Sequence, residues 1–154
     1  KVPLSEDFSE VRRWSMACVA LPTCGLAITE SERALPGIID QLEAPLAKLG
    51  LQRERFTIRM TGCPNGCARP YNADIGIVGK AKGKYTLFCG GALLGNRLSF
   101  IFKDMVPHET IGQEIVGVFA AFKANRLPGE TLGGFCDRVG RDELESLVSA
   151  APKP

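Results

Sequence analysis

Two pairs of cysteines carry the densest chemistry in the chain. Cys63 and Cys67 flank Pro64, Asn65 and Gly66 in the stretch TGCPNGCARPY, Thr61 to Tyr71, and Cys18 and Cys24 stand in MACVALPTCGLA with five residues between them. Pro64 fixes one backbone angle, while Asn65 and Gly66 tolerate the left-handed region, so this turn can aim both of its sulfurs at one object. It also points backbone N–H groups inward, toward any anionic sulfur held there. Four thiolates are what a cubane 4Fe-4S cluster takes, one for each iron. Other chemistries use the same residue type. Structural zinc binds four cysteines, with paired ligands separated by about two to four residues, a spacing that the Cys18–Cys24 gap exceeds. A disulfide calls for an oxidising compartment, to which nothing in the chain points, and four thiols packed as small hydrophobes stand as a further alternative.

The other candidate groups are plainer. Cys89 lies in an apolar run and Cys136 follows Phe135, so both read as core thiols. His108, the only histidine, follows Pro107 at the start of a helical stretch, a surface or capping position that gives little support to histidine chemistry or to a histidine-held haem. Arg69, two residues past Cys67, is a cation placed to offset negative charge on whatever the thiols hold.

Those residues need elements to position them. RFTIRMT alternates Phe56, Ile58 and Met60 against Thr57, Arg59 and Thr61, a strand that delivers the chain into Cys63. Before it, Leu35, Ile38, Ile39, Leu42, Leu46 and Leu49 recur at helical spacing, with Pro36 in the first turn and Gly50 as the cap. Pro45 falls inside that pattern and predicts a kink or break. After the cysteine turn, ADIGIVG and KYTLFCGG, separated by Lys80–Gly83, read as an antiparallel hairpin, and RLSFIFKDM as a further strand. Ile111, Ile115, Val118, Phe119 and Phe122 mark a second long helix. LPGETLGGFCDRVG reads as a glycine-rich passage, and RDELESLVS as a short terminal helix. The fold class is α+β, a small mixed β-sheet with helices packed against it, in one domain over residues 1–154.

Composition limits the functions open to such a domain. At 154 residues and 45% hydrophobic, the chain can bury a core without staples. Nineteen basic and 17 acidic side chains leave a net charge of +2, which is no footprint for nucleic acid; Lys80, Lys82 and Lys84 read as a solvated turn. No apolar run reaches the length of a membrane helix, so the chain reads as soluble. It opens at Lys1 without an initiator methionine, as a piece excised from a longer chain would.

The two cysteine stretches together resemble the sirohaem-containing nitrite and sulfite reductases, in which a C-x5-C pair and a later T-G-C-P-N-[GS]-C segment hold one 4Fe-4S cluster. The likeness extends through MACVALPTCGLAITESER and CARPYNADIGIVGK, which look like the ferredoxin-dependent sulfite reductase branch, and GETLGGFCDRVG resembles that branch's C-terminal signature. Gly25 departs from the pattern, since a proline is expected after the second cysteine.

The resemblance implies a function and a set of roles. Cys18, Cys24, Cys63 and Cys67 would be the metal ligands. Cys67 would also bridge to the iron of sirohaem, making it the residue nearest the catalysis, with Asn65 and Arg69 as cofactor-binding neighbours. The whole enzyme would carry out the six-electron reduction of sulfite to sulfide in the cytoplasm or a plastid stroma, with ferredoxin as donor and electrons passing through the cluster to sirohaem. Upstream domains of the same enzyme would supply the basic residues that grip sirohaem and sulfite, so this chain would be the C-terminal, cluster-bearing part and inactive alone. The alternatives are a ferredoxin-nitrite reductase fragment, toward which CARPY leans less, and a non-catalytic zinc or iron-sulfur module.

Overall fold

The computed structural model describes residues 8–151. Its centre is a five-stranded sheet with the strands side by side in chain order. β1 (Ser15–Ala17), β2 (Ile58–Thr61) and β3 (Ile75–Ala81) run parallel; β4 (Lys84–Cys89) and β5 (Phe100–Pro107) continue the sheet antiparallel. Four helices complete it: α1 (Glu10–Arg13), α2 (Leu35–Lys48), α3 (Ile111–Asn125) and α4 (Leu132–Ala150). The mixed sheet with packed helices is the α+β arrangement that the sequence implies, and the expected hairpin is β3–β4, turning at the exposed Lys82 and Gly83.

Alternation sorts the strand residues onto two faces. Ile58 and Met60 of β2, Ile75 and Ile77 of β3, and Tyr85, Leu87 and Cys89 of β4 join one buried core with residues of α2, α3 and α4. Phe56, just ahead of β2, packs its ring 4.8 Å from that of Phe119 and meets Phe122 edge-on at 6.1 Å. Burying each such side chain contributes about 1.5–3 kcal/mol, so this inner face holds the sheet and the three long helices together.

α2 buries Leu35, Ile38, Ile39, Leu42 and Leu46, as its spacing requires. It closes with Gly50 at φ 67°, whose N–H donates to the Ala47 carbonyl at 3.0 Å while that of Leu51 reaches Leu46 at 2.8 Å. The break expected at Pro45 does not occur, because the helix continues to Lys48. Pro45 deprives the Gln41 carbonyl of its helical donor, but Gln41 is exposed and water can serve instead. The glycine-rich passage is also helical: α4 starts at Leu132, with the Thr131 hydroxyl accepting from Gly134 N at 3.1 Å. The break lies later, at Gly140, whose φ of 72° separates this first half from the expected terminal helix.

Candidate cofactor-binding site

Cys18 follows β1 directly and Cys63 lies two residues past β2. Because β1 and β2 are parallel neighbours, with Ala17 opposite Met60, both segments leave the sheet at the same end. Gly62 is the junction between them. Its N–H donates to Cys18 Sγ at 3.4 Å, and its carbonyl accepts from Ile28 N and Thr29 N at 2.9 and 3.1 Å, which folds the Cys24 loop back onto it. Within that loop Cys24 N donates to the Ala20 carbonyl at 2.7 Å. A side chain at position 62 would put a Cβ 2.5 Å from the Thr29 carbonyl oxygen and 2.6 Å from Ala20 Cβ, so glycine is what lets the two cysteine segments touch.

The Cys63–Cys67 turn is fixed from the other side. Gly66, at φ 69°, supplies the left-handed residue, and the Tyr71 ring lies so close to it that a Cβ there would stand 2.8 Å from the ring. The Tyr71 hydroxyl donates to the Pro64 carbonyl at 2.8 Å, and its ring meets Phe88 edge-on at 5.2 Å. Burial, and after it the neighbouring Cys63, push the Tyr71 phenol above its ordinary pKa. Arg69 also takes the left-handed conformation, at φ 56° and ψ 51°, with its N–H on the Gly66 carbonyl at 2.7 Å. Non-glycine residues rarely adopt that conformation, and Ala20 in the other loop shares it at φ 48°.

The four thiols differ in exposure. Cys63 is buried, Cys18 and Cys24 are half-buried, and Cys67 is exposed. Asn65 and Arg69 are exposed beside Cys67. Of the apolar side chains around the first pair, Ala20 is buried and Leu21 half-buried, while Val19 and Leu26 are exposed and give the thiols no shelter from water. Among the described residues no group of three or more Cys, His, Asp or Glu is set to close on a metal ion as it stands. A cubane asks for a different arrangement, since its thiolates bind four separate irons and stand further apart than ligands of one ion. The donor set, the junction at Gly62 and the close-packed Gly66 suit such a group.

Cys89 and Cys136 take no part. Both are buried in the core, and the Cys89 thiol is pushed well up by its hydrogen bond with Cys136 and by burial. His108 opens a short 3-10 turn, His108–Thr110, ahead of α3, but it is half-buried and caps no helix, with Nδ1 buried and unpartnered among the described residues.

Two residues escape the sequence reading. Arg59 and Thr61, expected on a polar strand face, are both buried, and Arg59 Nε and Nη1 and Thr61 Oγ1 have no hydrogen-bond partner among the described residues. An arginine in the middle of a short apolar strand that ends at a cysteine turn is the signal that was there to find.

The pattern of thiols can be set beside known proteins. The family described as nitrite and sulphite reductase 4Fe-4S domain matches residues 10–153. The sulfite reductase (ferredoxin) of Synechococcus elongatus is 48% identical over 153 residues, covering 97% of this chain and 24% of the relative. The sulfite reductase (NADPH) hemoprotein beta-component of Methylobacterium nodulans is 53% identical over 137 residues, covering 89% of this chain and 23% of the relative. Among solved structures, the NirA protein of Mycobacterium tuberculosis matches with a TM-score of 0.77 at 28% identity, over 88% of this chain and 27% of that one. The chain therefore spans about a quarter of the length of the curated relatives it matches.

Proposed function

The chain belongs to the nitrite and sulphite reductase 4Fe-4S domain family, and from that premise we propose that it is the part of a sulfite reductase that holds the cluster and one side of sirohaem. Cys18, Cys24, Cys63 and Cys67 are the cluster thiolates in this reading, and Cys67 is the one shared with the haem iron. The observation that carries it is the gradient of exposure across one tied pair of loops: the Gly62 junction binds the Cys18 and Cys63 segments together, and of the four thiols Cys67 alone is exposed, where a second cofactor can reach it.

When bound, the two cofactors supply single-electron relay and an iron for the substrate sulfur. The chain's own residues supply position and charge. The β1 and β2 ends fix the two pairs, Tyr71 braces the second turn, and the Gly62 N–H donates to Cys18 Sγ, where it favours added negative charge. Arg69, exposed and held left-handed next to the turn, would offer a cation to the cofactors' anionic groups.

The substrate of the whole enzyme is sulfite in this reading, reduced to sulfide. Ferredoxin as donor is supported by the Synechococcus elongatus relative, which matches 97% of the chain, while the NADPH-type relatives, 53% identical in the case of Methylobacterium nodulans, are equally near. Turnover by the full-length enzyme with reduced ferredoxin, against turnover with NADPH and a flavoprotein, separates the two, and faster turnover of nitrite than of sulfite would move the assignment to nitrite reduction.

Cys67→Ser in the full-length holoenzyme tests the shared ligand. EPR and Mössbauer spectra are expected to lose the magnetic coupling between cluster and haem even where part of the cluster survives on the other three thiols. Unaltered coupling in that variant would sink the assignment.

A further inference from the structure

Arg59 breaks the chemistry of its strand. It stands between Ile58 and Met60 but on the opposite face of β2, 7% exposed, with Nε and Nη1 unpartnered among the described residues. Thr61, two residues on, is fully buried with its hydroxyl likewise unpartnered. Residues two apart on a strand share a face, so these donors form a row that ends at Gly62 and Cys63.

Nothing among the described residues satisfies that row. Burial works first against the Arg59 charge, and Arg69 then adds a like charge; Asp74 is the compensating group. Yet the Asp74 carboxylate already accepts from Thr57 N and Oγ1 at 2.8 and 2.6 Å and from Gly133 N at 2.9 Å. On either side along the sheet, Arg59 has Met16 of β1, which is apolar, and Gly76 of β3, which lies so close under the Pro70 carbonyl that a Cβ would not fit. A buried guanidinium without an acceptor is strongly unfavourable, and a buried anion that meets it removes the penalty.

We infer that Arg59 and Thr61 form a buried anion-receiving site on the cofactor face of β2, in which the guanidinium and the hydroxyl donate to an anionic acceptor borne by the cofactors. The inference rests on the proposed function. The acceptor is either a tetrapyrrole carboxylate, which matches the guanidinium fork, or the negatively charged cluster with its thiolates; both present an anion to a fixed cation in a dry place. Arg59 differs from Arg69 in this respect: the exposed Arg69 is screened by water, whereas the field of Arg59 acts through protein.

The test uses the full-length holoenzyme with Arg59→Met, Arg59→Lys and Thr61→Val. Iron, acid-labile sulfide and extracted sirohaem are counted per chain, and the cluster midpoint potential is followed by EPR-monitored titration. If the acceptor is a carboxylate, Arg59→Met weakens sirohaem binding about tenfold or more while the cluster stays. If it is the cluster, both cofactors stay and the midpoint moves to more negative potential, because no cation favours the added electron. Arg59→Lys keeps the charge and loses the fork, so it restores the potential more fully than sirohaem binding. Thr61→Val, nearly isosteric, gives a smaller change of the same kind and decides the matter if Arg59→Met fails to fold. Full cofactor content with an unchanged potential, in folded Arg59→Met or Thr61→Val, overturns the inference, as it would if the acceptor were an acidic side chain from elsewhere in the enzyme. A wild-type enzyme lacking both cofactors overturns the proposed function instead, before any variant is compared.

Discussion

The two faces of the sheet are finished by different means. The inner face is closed by the chain itself: Ile58, Met60, Ile77, Leu87 and Phe102 meet α2, α3 and α4, and the aromatic trio Phe56, Phe119 and Phe122 locks the contact. The outer face carries the Cys63–Tyr71 loop over β3 and β4, the unpartnered donors of Arg59 and Thr61, and the exposed side chains of Met16 and Ile101. A face completed within the chain stores stability, whereas a face with unanswered polar atoms is shaped for something added later. Substitutions on the two faces should therefore fail in different assays.

Phe119→Ala puts this to its hardest test. Removing a fully buried ring on the inner face is expected to cost about 3–5 kcal/mol, read as a lower urea midpoint. A change smaller than that of any outer-face variant would break the contrast. Gly62→Ala comes next: the added methyl meets the Thr29 carbonyl and Ala20, and a destabilisation of about 1–3 kcal/mol should accompany loss of iron and sulfide per chain. Loss of stability with full cluster content would mean that the junction does not position the thiols.

A finer distinction separates the six cysteines. Cys89→Ser should leave both cofactors in place and cost on the order of 1 kcal/mol, and in the native apo-enzyme at neutral pH Cys67 should be alkylated well before Cys89 or Cys136. Equal labelling of all three would remove the difference between the core thiols and the proposed ligand Cys67. The smallest effect concerns the edge of the inner face, where Arg12 first, and Ser9 after it, hold the Glu43 carboxyl below its ordinary value. A carboxylate lowered by folding stabilises above its unfolded pKa, and that contribution disappears as pH falls through the folded value. Wild type should thus lose stability toward acid that Glu43→Gln does not lose. The difference is under about 1 kcal/mol because water screens a pair so exposed. Parallel urea midpoints for the two proteins at neutral and acid pH would contradict it.

The inner face was largely legible in the sequence, because helical and strand periodicity report burial directly: the stripes of α2 and α3 fall on buried residues as their spacing demands. Pro45 and the glycines of α4 misled for a common reason. Local preference disfavours helix at both places, and packing against the sheet, with solvent to serve the freed carbonyl, outweighs it. The cysteine pairs were legible through spacing and turn chemistry. Their junction was not, since neither the Gly62 N–H on Cys18 Sγ nor the parallel pairing of β1 with β2 leaves a trace in either stretch alone. Arg59 was placed on the correct face of β2, but its burial was not legible, because period two assigns a residue to a face without telling whether that face is wet.

The parallel pairing of β1 and β2 separates two kinds of spacing. Within each pair, the number of residues between cysteines is set by a turn and has little freedom. Between the pairs, the chain travels back along the sheet through α2, and that return path could be lengthened without moving one turn against the other. Synthesis runs through the same path in order. If the proposed cluster assignment holds, Cys18 and Cys24 leave the ribosome first and have no partners until β2 has been made and has settled beside β1, so two reduced thiols must wait through the whole crossover for the proposed site.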